Sequence, residues 1–246
     1  MVSETKVLVT GIVQGVGFRP FCARIAMELS LAGSVKNTSH GVEILLRGEK
    51  DVINHYLARL QNENPDASAI SSVQILYEKE SESPSSRHFI ISRSEKHDRQ
   101  RVLIPPDIAT CADCLKEMTD PSNRRYGYPF INCTNCGPRY TIIQDLPYDR
   151  PKTTMASFRM CNDCSEEYQC ITDRRYHAQP NACHVCGPSL WLTDNTGRKI
   201  LGKDEDPLKK FIQKIKSGNI GAVKGLGGFH LTCDAFNDIP VRRLRD

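Results

Sequence analysis

Eight of the eleven cysteines in this 246-residue chain fall into four Cys-x-x-Cys pairs: Cys111/Cys114, Cys133/Cys136, Cys161/Cys164 and Cys183/Cys186. The pattern Cys-x2-Cys-x18-Cys-x2-Cys occurs twice, with 24 residues between the copies. A shift of 50 positions lays one copy on the other: Asp113 falls on Asp163, Arg124-Arg125-Tyr126 on Arg174-Arg175-Tyr176, and Gly137-Pro138 on Gly187-Pro188. Four thiolates around one cation leave no open position for a substrate, so this spacing reads as two structural tetrathiolate zinc sites. Disulfides or redox-active pairs would not require a duplicated spacing. Each two-residue spacer is expected to fold as a tight knuckle, and Gly137 and Gly187 to follow the second knuckle with positive φ. Pairing the first knuckle with the second and the third with the fourth follows from the repeat, with an interlaced arrangement as the alternative. His177 and His184 are further possible ligands, but eight thiolates already complete two sites. The paired arginines are expected to reach backbone carbonyls or a neighbouring domain. The region reads as a scaffold that leaves the chemistry of the preceding domain untouched.

A second stretch with chemical content is Gln14-Gly15-Val16-Gly17-Phe18-Arg19. A strand over Val7–Val13 runs into it, and a helix opens at Pro20 and continues to about Leu31. A glycine loop at a helix N-terminus points several N–H groups at one place, where an anion is stabilised. Arg19 adds a forked cation suited to phosphoryl oxygens. No Gly-Lys-Ser/Thr follows, so this is not a triphosphate-binding loop of that type. The plain alternative is a tight strand-to-helix turn with no ligand. The elements needed to hold the loop follow in order. Strands are expected near Ser34–Thr38 and Val42–Arg47, a helix over Asp51–Gln61, and strands over Val73–Glu78 and His88–Ser92, joined by a Ser-rich turn at 81–86. The β-α-β-β-α-β order is the split-βαβ, ferredoxin-like arrangement.

The segment Gly11-Ile12-Val13-Gln14-Gly15-Val16-Gly17-Phe18-Arg19, followed by Gly33-Ser34-Val35-Lys36-Asn37 and Gly41, resembles the two signature segments of the acylphosphatase family. The resemblance covers roughly residues 5–92. It implies that the loop from Gln14 to Arg19, with Gly15, Val16, Gly17 and Phe18, binds a phosphoryl group. It further implies that Arg19 is the phosphoryl-binding cation and that Asn37 positions the attacking water.

The composition narrows the remaining choices. Charged residues are 25% of the chain and the net charge is +4, which implies no strong nucleic-acid or membrane field. No apolar run reaches transmembrane length and no signal peptide is evident. Metal-spaced cysteines fit a reducing, cytoplasmic compartment. Cys22, Cys170 and Cys233 read as ordinary thiols. A charged connector at 94–101 and an extended strap at 102–107 lead into the cysteine region. Beyond a hairpin-like stretch at 194–197, Pro207–Lys216 reads as an amphipathic helix and Ile220–Lys224 as a strand. A glycine-rich Gly225-Leu226-Gly227-Gly228-Phe229-His230 follows, and another helix begins near Val241. These pieces are too few to close a core, so they read as the start of a further, truncated domain.

Taken together, the loop domain, the duplicated cysteine pattern and the segment Ala222–Leu231 resemble the amino-terminal part of the hydrogenase-maturation carbamoyltransferase (HypF) family. The resemblance implies an acylphosphatase-like domain at 1–93, a linker at 94–106, a duplicated zinc-finger region at 107–192 and the start of a YrdC-like α/β domain at 193–246. It implies an enzyme that hydrolyses carbamoyl phosphate, or acyl phosphates generally, and that in full length forms a carbamoyl adenylate from ATP. The carbamoyl group would pass to the maturation protein HypE and become a cyanide ligand of the nickel–iron site. Lys224, Gly225, Gly227 and His230 would belong to a partial nucleotide or carbamoyl site. Two readings of other classes stand beside this one: a zinc-ribbon nucleic-acid-binding module, and a non-catalytic structural fragment.

Overall fold

The computed structural model describes residues 2–81, 88–95, 102–200, 206–225 and 228–246. Residues 82–87 (most of the Ser-rich turn at 81–86), most of the charged connector and the Leu226-Gly227 pair lie outside the described residues. The chain forms two compact units, Met1–Pro188 and Ser189–Asp246.

The first unit opens with β1 (Val2–Ile12), α1 (Phe18–Glu28), β2 (Ala32–Thr38), β3 (Gly41–Glu49), α2 (Lys50–Asn62), β4 (Ala69–Glu80) and β5 (Phe89–Ile91). The strands form one sheet in the order β4-β1-β3-β2-β5, antiparallel except for β5, which runs parallel to β2. This is the expected ferredoxin-like α+β fold. Its cause is the two-residue alternation of Val7 and Val9 on β1 and of Val42, Ile44 and Leu46 on β3, all fully buried. That face meets Phe18, Phe21, Cys22 and Ile25 of α1 and Ile53, Tyr56 and Leu60 of α2, at helical spacing. The Tyr56 hydroxyl donates to the Cys22 carbonyl at 3.2 Å, tying the two helices across the core. The first helix ends at Glu28, three residues before the expected stop, because Leu31 turns down into the core.

In the cysteine region the first pair of each copy does not form a free knuckle. Cys111 is the N-cap of α3 (Ala112–Thr119) and Cys161 that of α4 (Asn162–Gln169), so Cys114 and Cys164 sit in the first helical turn. Helical geometry brings positions three apart to one side, which aims both sulfurs together as a knuckle would. Gly137 has the expected positive φ of 96°, but Gly187 does not. Gly187 is required for space: a Cβ there would lie 2.1 Å from Tyr128 Oη and 2.6 Å from Ala182 Cβ.

The second unit contains α5 (Pro207–Lys216), a two-stranded antiparallel ladder of β6 (Gly221–Lys224) and β7 (Phe229–Thr232), and α6 (Asp238–Arg245). Asp206 caps α5 by accepting from the Leu208 and Lys209 amides at 2.8 and 3.2 Å. Phe229, Leu231, Phe236 and Ile239 are exposed.

Candidate active site and metal centres

Gly15 and Gly17 take left-handed φ values of 72° and 75°, and Gly17 is the N-cap of α1. Two left-handed residues so close together curl the chain from β1 into the helix, a path that side chains would resist. The side chains of Val16 and Phe18 are buried in the core, leaving their backbone amides as what the loop can offer a ligand. Gln14 sews the loop to the sheet: its Nε2 donates to the Thr38 and Gly41 carbonyls at 2.8 and 2.9 Å. Arg19 lies in the first turn of α1 and Asn37 on β2, opposite Val42 of β3. Both are buried.

The two residues converge on one point. Arg19 Nη2 and Asn37 Nδ2 donate to the same oxygen, the Tyr148 carbonyl, at 3.2 and 3.1 Å. Arg19 Nη1 also donates to Asp149 Oδ1 at 2.7 Å and to Ser94 Oγ at 3.4 Å. The Asn37 Oδ1 atom is buried with no hydrogen-bond partner among the described residues. The structure thus brings together the loop, the cation and the carboxamide that the sequence separates.

The other wall of this cleft comes from the cysteine region: Thr134, Arg139, Tyr148, His177, Ala178, Gln179 and Pro180. The expectation of an independent scaffold is corrected here. Tyr148 N donates to Gln14 Oε1 at 3.1 Å. Arg139, itself buried, donates from Nε to the Gly15 carbonyl, from Nη1 to the Cys136 carbonyl at 3.0 Å and from Nη2 to the Thr134 carbonyl at 2.8 Å. One side chain therefore joins the glycine loop to the turn that carries Cys133 and Cys136. The strap at 102–107 also packs on the loop, with buried Pro105 against Gly15 and Asp107 Oδ1 accepting from the Arg139 amide at 2.7 Å. Apart from the strap, whose extended Pro105-Pro106 sequence implies packing on a neighbour, these contributors were hidden in the sequence. The signal was the long spacer between the copies, whose Leu146-Pro147-Tyr148-Asp149-Arg150-Pro151 has no counterpart elsewhere in the repeat.

His177 also faces this cleft, with a left-handed φ of 53° and its ring against Tyr168 and Tyr176. Burial, and to a lesser degree the Arg19 charge, lower its pKa to about 4. His184 contacts the Tyr126 carbonyl at 2.9 Å through Nε2. Neither histidine joins a cysteine cluster.

The sulfurs group as Cys111, Cys114, Cys133 and Cys136, and as Cys161, Cys164, Cys183 and Cys186, which excludes the interlaced pairing. In the first cluster Cys111–Cys133, Cys133–Cys136 and Cys114–Cys136 are 3.8, 3.8 and 3.5 Å apart. In the second, Cys161–Cys183, Cys183–Cys186 and Cys164–Cys186 are 3.7, 3.9 and 3.6 Å apart. A zinc ion with bonds of about 2.3 Å to four tetrahedral sulfurs would set them ~3.8 Å apart, so both donor sets fit that ion in number, type and spacing. A disulfide would need about 2.05 Å.

The paired arginines join the two copies. Arg124 Nη2 donates to Cys164 Sγ at 2.9 Å, and Arg174 Nη2 donates to Cys114 Sγ at 2.8 Å. Arg125 binds Glu167 at 2.5 Å and the Ala182 carbonyl at 2.9 Å, while Arg175 binds Glu117 and, at 3.0 Å, the Asn132 carbonyl. Each copy thus supplies cations to the other's thiolates in a pseudo-twofold exchange, the self-complementary logic of a symmetric dimer within one chain. With zinc bound, each tetrathiolate centre would carry net negative charge, which these guanidinium groups would offset.

In the second unit Lys224 Nζ lies 5.0 Å from the centre of the Phe229 ring. A Cβ at Gly225 would lie 2.8 Å from His230 Nε2, so Lys224, Gly225 and His230 share the end of one ladder. Gly227 is outside the described residues.

Comparison with known proteins agrees with this geometry. Residues 5–91 match the acylphosphatase model, and residues 110–143 and 160–193 each match the HypF finger. The chain is 42% identical over 98% of its length to carbamoyltransferase HypF of Rhodobacter capsulatus, covering 31% of that protein. It is 44% identical over 29% of its length to an acylphosphatase of Caldivirga maquilingensis, covering 77% of that protein. The crystal structure of a full-length HypF in its phosphate- and nucleotide-bound form superposes on the whole chain with a TM-score of 0.88 and 43% identity, the chain covering 31% of that structure. The chain spans about a third of the length of the carbamoyltransferases it matches. It belongs to the HypF carbamoyltransferase family, matching the amino-terminal part, an acylphosphatase domain joined to a pair of HypF fingers.

Proposed function

We propose that this chain hydrolyses carbamoyl phosphate in the cleft between the glycine loop and the fingers. The observation that carries the reading is the convergence of Arg19 and Asn37 on a single oxygen position beside the N-terminus of α1. The loop amides of Gly15 to Phe18 and the Arg19 guanidinium hold the phosphoryl oxygens and offset their developing charge. The orphaned Asn37 Oδ1 accepts from the attacking water and places it in line. The water oxygen bonds to phosphorus, the bond from phosphorus to the acyl oxygen breaks, and carbamate leaves with that electron pair. The water's proton passes to a phosphoryl oxygen of the substrate. No side-chain base is required.

Two zinc ions, one in each cysteine cluster, hold the fingers, whose far wall shapes the cleft. In the longer relatives the carbamate would feed a YrdC-like domain beginning near residue 193, where Lys224, Gly225, Gly227 and His230 would contribute to a site for ATP and the carbamoyl group. The carbamoyl group would then go to HypE, in the cytoplasm. The proposed division is 1–93, 94–106, 107–192 and 193–246. Nucleic acid is not a proposed partner, because Arg124, Arg125, Arg174 and Arg175 are engaged by thiolates, carbonyls and glutamates within the fingers. No helix among the described residues is long and apolar enough to cross a membrane.

Replacing Asn37 tests the division of labour. Asn37→Ala should lower kcat about 100-fold while leaving inhibition by inorganic phosphate nearly unchanged, since it holds water and not the anion. Equal loss of turnover and phosphate inhibition would remove Asn37 from that role. Metal analysis of protein purified without added zinc should give about two ions per chain. One or none would contradict the metal assignment.

A further inference from the structure

We propose that the segment Tyr148–Asp149, in the spacer between the two fingers, is a built-in competitor of the phosphoryl group, which an acyl phosphate must displace from Arg19. The inference rests on the assignment of Arg19 and Asn37 above. Both residues are already engaged by oxygens of this segment. The Asp149 carboxylate lies 2.7 Å from Arg19 Nη1. The Tyr148 carbonyl accepts from Arg19 Nη2 and from Asn37 Nδ2. The Asp149 carboxylate thus stands where a phosphoryl oxygen is required, and the Tyr148 carbonyl fills the position that the Arg19 and Asn37 donors share.

A buried guanidinium without a counter-charge is costly, so Arg19 needs an anion in the resting state as well as in the bound one. Asp149 supplies it, and an incoming phosphate dianion replaces one anion with another. The exchange therefore never leaves Arg19 unpaired.

The segment is built to release on one side only. Arg150 is anchored: its Nη1 donates to the Gln179 and Asn181 carbonyls at 2.7 and 2.9 Å, and its Nη2 to the Phe158 carbonyl at 2.6 Å. Asp149 is more open, with its side chain 24% exposed against 8% for Arg19. Rotation about its own side-chain bonds withdraws the carboxylate without moving the Arg150 anchor. The Tyr148 carbonyl is held to the loop by its own residue's amide on Gln14 and must turn away with it.

A closed form that excludes phosphate lowers apparent affinity by the fraction of molecules that are open. Asp149→Asn keeps the shape and removes the competing charge. Calorimetric titration of the intact 246-residue chain with inorganic phosphate should show about tenfold tighter binding for Asp149→Asn than for the unmodified chain. The KM for carbamoyl phosphate should fall alongside. Unchanged or weaker phosphate binding would overturn the proposal, since Asp149 would then be a neutral or contributing part of the pocket. A second measurement needs no substitution. Saturating phosphate should accelerate hydrogen exchange at the Tyr148 and Asp149 amides of the unmodified chain, and increased protection there would also overturn it. Arg19→Ala separates the two levels: if it still binds phosphate, the cleft assignment itself fails. If it does not, while Asp149→Asn is unchanged, only the competition fails.

Discussion

Arg125→Met should be among the most damaging single changes in the fingers. Arg125 is buried on the first finger and serves the second: Glu167 at 2.5 Å, the Ala182 carbonyl at 2.9 Å and Asn181 Oδ1 at 3.0 Å all accept from it. Its loss leaves a partly buried carboxylate without its close partner and two buried acceptors unpaired. Arg124 can compensate little, since its Nε is 3.4 Å from Glu167 and its Nη2 is already on Cys164. Removing one member of such a pair costs about 3–5 kcal/mol. Urea unfolding at fixed free zinc, with a chromogenic chelator following metal release, reads both stability and which cluster opens. The second cluster should open first. Arg175→Met, the pseudo-symmetric change, should cost a similar amount through Glu117 and the Asn132 carbonyl and open the first cluster. Combining Arg125→Met with Glu167→Met should recover much of the loss, because an apolar pair leaves no orphaned charge. A cost below about 1 kcal/mol for Arg125→Met would refute the interlock, placing the pair with exposed surface bridges.

Two more expectations follow from packing and charge. Gly187→Ala should destabilise the fingers by about 2 kcal/mol, and Tyr128→Phe in the same chain should restore part of that by removing the overlapping hydroxyl; thermal unfolding of the pair checks both. His177 is held neutral with its pKa lowered to about 4 from an unfolded value of 6.5, chiefly by burial. A depressed folded pKa gives stability that is full above the unfolded value and is lost as pH falls through 6.5 toward 4. Unfolding free energy should therefore drop by about 2 kcal/mol between pH 7 and pH 5 from this residue, and His177→Asn, which tolerates the left-handed backbone, should flatten that slope.

The parts of this molecule that were legible in the sequence are those governed by local rules. Strand alternation at Val7/Val9 and Val42/Ile44/Leu46, Pro20 at the start of a helix and the glycine turn before it follow from backbone and burial preferences within a few residues. The cysteine pairing was legible because a repeat displays its own boundaries. What remained hidden was tertiary. Nothing local in Tyr148-Asp149 says that its oxygens face Arg19, more than a hundred residues earlier, or that Arg139 reaches Gly15. The exchange of Arg124-Arg125 and Arg174-Arg175 between fingers was equally out of reach, since a paired arginine reads alike whether it meets solvent, a carbonyl or a thiolate. Gly187 shows a subtler limit. The repeat placed a glycine beside Gly137, yet one copy needs the left-handed φ and the other the missing Cβ.

The most direct test of the central claim is phosphate release from carbamoyl phosphate, followed by phosphorus NMR against a protein-free blank. The unmodified chain should release phosphate faster than the blank, and Arg19→Ala should fall to the blank rate, with zinc content and circular dichroism unchanged. Hydrolysis by Arg19→Ala at the unmodified rate would contradict the assignment of the glycine loop and Arg19 as the catalytic cradle.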